Sequence, residues 1–152
     1  MRRVLGWGVL LLFVAVNLGA CASTGGSDTP TAPSLYKRLG GREGITGVVT
    51  DFTANMAADP RVNERFKGMK PEALEQFRSK LADQICDATG GPCSYLGKDM
   101  KAAHQGMKIT EAEWNATVEN LVKALDKNNV DAKSRDELLA ALGPMKKDIV
   151  GQ

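Results

Sequence analysis

His104 is the only histidine in a chain of 152 residues, and Cys86 and Cys93 are the cysteines nearest to it in sequence. In DMKAAHQGMKI, residues 99–109, Met100, Ala103, His104 and Met107 follow the i, i+3, i+4, i+7 spacing of one helix face. An imidazole on such a face needs a carbonyl, a carboxylate or a metal, because an unpaired buried polar ring costs roughly 1–3 kcal/mol. A zinc site of Cys86, Cys93 and His104 is one ligand short, and gaps of six and ten intervening residues fit no compact zinc spacing. A Cys–His nucleophile requires a free thiolate, which a disulfide would remove. Covalent haem attachment requires C-x-x-C-H, absent from the sequence. Non-covalent haem needs only one neutral imidazole on iron, within a large apolar pocket. By residue type alone, a core histidine satisfied by a polar neighbour is the plainer reading, with a ligand second.

The compartment decides what the cysteines can do. Arg2 and Arg3 precede an uncharged run, VLGWGVLLLFVAVNLGA (4–20), and then Cys21. That layout is a secretory signal, with no stop-transfer charges behind it. Leu18–Cys21, LGAC, resembles the bacterial lipobox, which makes residues 1–20 a signal peptide and Cys21 the lipidated first residue of the mature chain. Ordinary cleavage and an uncleaved anchor are the alternatives. Residues 21–34 continue as a small, polar, Pro/Gly-rich tether, leaving a folded domain over 35–152. In an oxidising compartment Cys86 and Cys93 flank the turn-forming DATGGP and are read as a disulfide; two free thiols are the alternative. Such a bond closes a loop of about eight residues and stabilises by roughly 2–3 kcal/mol.

Charge gives no case for nucleic acid. Without Arg2 and Arg3 the 20 basic residues become 18, equal to the 18 acidic ones. The lysines are interspersed with acids, as on a solvated surface.

The positioning elements are helical throughout. Ile45, Val48, Val49, Phe52 and Met56 form one apolar stripe, stopped at Asp59-Pro60. Val62 pairs with Phe66 in a short piece. Pro71 then opens a helix with Leu74, Phe77, Leu81 and Ile85 on its stripe. Thr110 to Glu113 is a capping box ahead of Trp114, Val118, Leu121, Val122 and Leu125. Ser134 to Glu137 repeats the box before Leu138, Leu139, Leu142, Met145 and Ile149, and Gly143-Pro144 should weaken that last helix. The expected class is all-α, with sharp turns at Gly40-Gly41 and Gly90-Gly91.

From SLYKRLGG onward, Ser34 to about Val150, the chain resembles a group one truncated haemoglobin, a two-over-two helical globin enclosing haem. The landmarks occur in order: LYKRLGG, VVTDF ending at Phe52, ADPRVNERF ending at Phe66, and GGPCSYLGKDMKAAHQGMKI with His104. The resemblance implies haem b, with His104 as the proximal iron ligand and Phe66 against the haem face. It implies a pocket further lined by Thr53, Phe77, Lys80, Leu81, Met100 and Ile109. A peptide carbonyl on the second ring nitrogen would set the tautomer.

The chain departs from the family on the distal side. Where relatives often carry a tyrosine after the DF phenylalanine, this sequence has Thr53, and Phe77 and Leu81 fall where distal glutamines often stand. A donor there stabilises the partial negative charge that dioxygen gains on ferrous iron, by roughly 1.5–3 kcal/mol. Its loss implies weak, fast dioxygen binding. Lys80 precedes Leu81 as a solvent-facing residue or propionate partner, where some relatives place a sixth ligand. The expected function is reversible binding of dioxygen, nitric oxide or carbon monoxide by an exported lipoprotein facing the periplasm or cell exterior. Redox work there would require a periplasmic electron donor. Nitric oxide dioxygenation or peroxidase-like turnover at the same iron is the enzyme alternative, and a haem-free helical interaction lipoprotein the third.

Overall fold

The computed structural model describes Ala32–Gln152. Residues 1–31, which carry the expected signal, Cys21 and most of the tether, lie outside the described residues. Six α-helices follow in order: α1 (Leu35–Arg38), α2 (Gly41–Ala58), α3 (Pro71–Ala88), α4 (Met100–His104), α5 (Glu111–Lys127) and α6 (Ala132–Leu142). Stretches of 3-10 helix occupy Asn63–Arg65 and Gly143–Asp148. Among the described residues the only extended pairing is an isolated parallel bridge between Ile109 and Val150. No helix among them is long and apolar enough to cross a membrane.

The central element is α2, with α3 on one side and α5 on the other. All five residues of its expected stripe, Ile45, Val48, Val49, Phe52 and Met56, are buried. Each large apolar side chain so buried contributes roughly 1.5–3 kcal/mol. Gly40 opens the helix at φ 83°, a left-handed conformation. A Cβ at Gly44 would stand 2.0 Å from the Leu39 carbonyl oxygen, so only glycine lets α1 turn into α2 this tightly. The helix stops at Ala58 because Pro60 holds Asp59 extended (ψ 113°).

Long-range bonds fix the helix directions. The Arg42 guanidinium meets Asp83 at 2.5 Å and the Arg78 guanidinium meets Thr53 at 2.8 Å, so α2 and α3 run antiparallel. Asn128 reaches Asp51 at 2.9 Å while Asn55 reaches the Asn120 carbonyl at 3.2 Å, which sets α5 antiparallel to α2. Arg38 on α1 bonds both Ser134 and Glu137 of α6.

Three local expectations are corrected. On α3 the deeply buried face is Ala82, Ile85 and Cys86, not the full stripe from Leu74 to Ile85; Phe77 is 37% exposed. On α5 the buried row is Ala116, Asn120, Leu121, Ala124 and Leu125, leaving Trp114, Val118 and Val122 half-buried. Finally, α6 begins three residues earlier than its apparent box: Asp131 accepts from the Ser134 amide at 3.0 Å and is the cap. Ser134 is fully buried and accepts from Arg38 Nε at 3.0 Å instead. The last helix does break at Gly143-Pro144, continuing only as 3-10 structure.

Candidate functional site

The element that carries His104 is a single short helix, and neighbours must hold it in place. Asp99 caps it, accepting from the Ala102 amide at 2.8 Å. It ends at once, because Gln105 is extended (ψ 128°) and Gly106 turns at φ 80°. Met107 therefore lies in the loop rather than on the helix. Its amide still bonds the His104 carbonyl at 3.0 Å.

The imidazole is half-buried, and its Nδ1 lies 2.7 Å from the Met100 carbonyl oxygen. A carbonyl can only accept, so Nδ1 carries the proton and donates. Nε2 is then the nitrogen with the free lone pair. This is the tautomer a metal ligand requires, oriented by a backbone partner.

Beside its deeply buried row, α3 carries a second, less buried side. Phe77, Leu81 and Gln84 share one side by helical spacing. Gln84 Nε2 donates to Met100 Sδ at 3.2 Å, pinning this face to the start of α4. At the other end the Phe77 ring meets the Phe66 ring edge-on, centroids 6.1 Å apart. Arg65, next to Phe66, donates through Nη1 to the Met107 carbonyl at 2.8 Å. The segments 77–84 and 100–107 are thus linked directly by the Gln84–Met100 pin and, through the Arg65–Phe66 turn, by a second pin from Phe77 to Met107. Leu81 lies between the pins on one segment and His104 on the other.

The apolar residues around these pins are only partly buried, with Phe66 and Leu81 also packing against the core. Leu74, Leu81, Met100, Met107, Ile109, Trp114 and Val118 are all half-buried, and Phe77 is more exposed still. The Val150–Gln152 tail closes the loop after His104, with Gly151 N bonding the Ile109 carbonyl at 2.9 Å. Met145 sits 3.5 Å from Gln84 Nε2.

The remaining residues of interest fall into two groups. Thr53 is buried (1% exposed) on α2, where its hydroxyl donates to the Thr50 carbonyl at 2.9 Å and accepts from Arg78 Nε at 2.8 Å. Lys80 is exposed, one position away from Leu81. Cys86 and Cys93 are joined by a disulfide, Cα atoms 5.8 Å apart. The bond ties the end of α3 to the loop before α4. A Cβ at Gly91 would stand 2.5 Å from Cys86 Sγ and 2.6 Å from the Tyr36 ring, so glycine is what lets the chain turn there.

Sequence reasoning missed Arg65, Arg78 and Gln84. A charge in NERF or FRSK reads locally as solvated surface, and its long-range partner leaves no trace in the local pattern.

The donor chemistry fits haem. No group of three or more His, Cys, Asp or Glu side chains among the described residues could hold a bare metal ion. Haem would need no such group, since the porphyrin would supply most of the iron's ligands and the protein a single histidine nitrogen. An imidazole whose Nδ1 is bonded to the Met100 carbonyl, leaving the Nε2 lone pair free, meets that requirement.

Comparison with known proteins agrees. Residues 34–150 match the family model described as bacterial-like globin. The group 1 truncated hemoglobin of Mycolicibacterium paratuberculosis is 31% identical over 116 residues, 76% of this chain and 83% of that protein. The group 1 truncated hemoglobin of Tetrahymena thermophila is 29% identical, covering 79% of this chain and 97% of its own. The crystal structure of truncated hemoglobin from Tetrahymena pyriformis in the Fe(III) form superposes with a TM-score of 0.73 at 28% identity, over 79% of this chain and all of that one (100%). The 2/2 hemoglobin of a Synechococcus species, with covalently attached heme, gives 0.71 at 29% identity, with the same coverage of 79% and 100%. The two-over-two globin architecture and the long-range frame around His104 meet in one conclusion: this chain belongs to the bacterial-like globins, among the group 1 truncated haemoglobins.

Proposed function

We propose that this protein is a haem globin displayed from a membrane, binding diatomic gases at an iron held by His104. Haem and gas binding come with the family. The observation that supports His104 as the ligand is its hydrogen bond to Met100, which leaves Nε2 as the free nitrogen. Bound haem supplies an iron whose sixth position accepts dioxygen, nitric oxide or carbon monoxide.

The chain's residues do the rest. Met100 fixes the ring orientation, and Phe66, Phe77, Leu81 and Ile109 supply apolar walls that keep water from the iron. Thr53 is not a donor to the ligand, because its proton is committed to Thr50. A gas site of this kind favours rapid exchange over storage. The lipobox-like LGAC supports lipidation at Cys21, with residues 22–34 spacing the domain from the membrane. Reduction of the iron in that compartment requires an exported electron donor.

Two experiments test this. Full-length chain titrated with haem should bind one equivalent with a Soret band that shifts on reduction and again with carbon monoxide; a chain that takes up no haem refutes the reading. Expressed in a bacterium, the native chain should fractionate with membranes and Cys21→Ala should not. Equal fractionation of the two refutes the anchor.

A further inference from the structure

We infer that Arg65 is a positioning residue that fixes the distance between the turn carrying Phe66 and the loop following His104. The inference rests on the haem reading for its consequence, though not for its geometry. Arg65 is one-third exposed (32%), yet all of its side-chain hydrogen bonds are long-range. Nη1 donates to the Met107 carbonyl at 2.8 Å, while Nε and Nη2 both donate to Glu113 Oε1, at 3.0 and 2.7 Å. Glu113 is itself immobilised: its Oε2 accepts from the Thr110 amide at 2.8 Å and the Thr110 hydroxyl at 2.9 Å, closing the capping box of α5. The Met107 amide bonds the His104 carbonyl at 3.0 Å.

One guanidinium thus joins the Val62–Phe66 turn, the loop after His104 and the first turn of α5. A planar fork can serve a carboxylate and a carbonyl together, whereas a lysine ammonium has no such fixed geometry. Without this contact the Phe66 turn is still held to the core through Val62 and Phe66 and to α5 through Asp59, but no side-chain hydrogen bond joins it to the loop after His104. The His104 loop, with Gly106 and Lys108 both at positive φ, then has less to hold it.

The test compares the full-length chain with Arg65→Gln, Arg65→Lys and Glu113→Gln. Hydrogen exchange on the haem-free proteins reads the clamp directly. Amides of residues 105–109 and of residues 63–66 should both exchange about tenfold faster in Arg65→Gln, as for a local opening that loses one charge-assisted contact. In haem-loaded protein, transfer of haem to an excess of an acceptor globin should accelerate by about the same factor. The iron–histidine stretching band in the ferrous form should shift and broaden while thermal stability changes little. Arg65→Lys should behave as Arg65→Gln, and combining Arg65→Gln with Glu113→Gln should add nothing further to the exchange of these two segments or to the rate of haem transfer. If Arg65→Gln fails to fold, Glu113→Gln carries the same exchange and haem-transfer readings, with a loss of global stability of its own from the Thr110 bonds. Faster exchange in only one of the two segments, or haem transfer and the stretching band unchanged in Arg65→Gln, overturns the inference. A wild-type chain that takes up no haem would instead remove the haem reading, with the exchange data still deciding the clamp.

Discussion

Arg78 Nε and Thr53 Oγ1 lie 2.8 Å apart across the α2–α3 seam, with the guanidinium donating. The Thr53 hydroxyl passes its only proton to the Thr50 carbonyl at 2.9 Å. Both partners belong to the protein, so this hydroxyl has nothing to offer a gas. Dioxygen should therefore leave about ten- to a hundredfold faster than from a site with one charge-assisted donor. Thr53→Val should change the stopped-flow dissociation rate by less than about twofold, since no donor is lost. A tenfold acceleration in Thr53→Val would show that the hydroxyl does reach the ligand.

Lys80 gives a second spectroscopic test. It is exposed on α3, while Leu81 is half-buried. Lys80→Ala should leave the ferric visible spectrum as it is. Conversion from a low-spin to a high-spin spectrum in the variant would make Lys80 an iron ligand.

The buried and half-buried positions of α5 should respond differently to truncation. Leu125 is fully buried (0% exposed), so Leu125→Ala should cost about 2–5 kcal/mol in denaturant unfolding. Val122, three positions earlier and half-buried, should cost less than about 1 kcal/mol as Val122→Ala. Equal losses at the two positions would mean that the α5 face is misassigned.

The acid side of the stability curve follows from Glu113. The Thr110 amide first, and the Arg65 guanidinium next, hold its carboxyl below the usual glutamate value. Asp51 is likewise lowered, chiefly by Lys127. A depressed folded value means that the contribution is complete above the unfolded value of about 4.3 for glutamate and 3.9 for aspartate. It is lost as pH falls through the lower folded value. Glu113→Gln should therefore destabilise the chain clearly at pH 6 and progressively less below about pH 4. A stability difference that does not vary with pH would exclude this linkage.

Much of the fold can be read locally. The α2 stripe, the Thr110–Glu113 box and the break at Gly143-Pro144 depend on neighbours within one or two turns, which periodicity and capping chemistry describe. Ser134 misled because Asp131 competes for the same amide from three residues earlier, and only Arg38, distant in sequence, shows which wins. On α3 the sequence lists apolar residues without saying that Ala82 and Cys86 are deeply buried while Leu81 is only partly so and Phe77 is exposed. His104 was legible because it stands alone, and its Met100 partner is one turn away. The pins around it, Gln84 to Met100 and Arg65 to Met107, join separate elements and leave no local signature.

The most direct measurement is the absorbance spectrum of the haem-loaded full-length chain beside that of His104→Gly, each with and without added imidazole. Loss of the five-coordinate ferrous spectrum in the variant and its return with imidazole is the predicted result. A variant whose spectrum matches the native chain without imidazole would contradict it, because the iron would then be held by some other group.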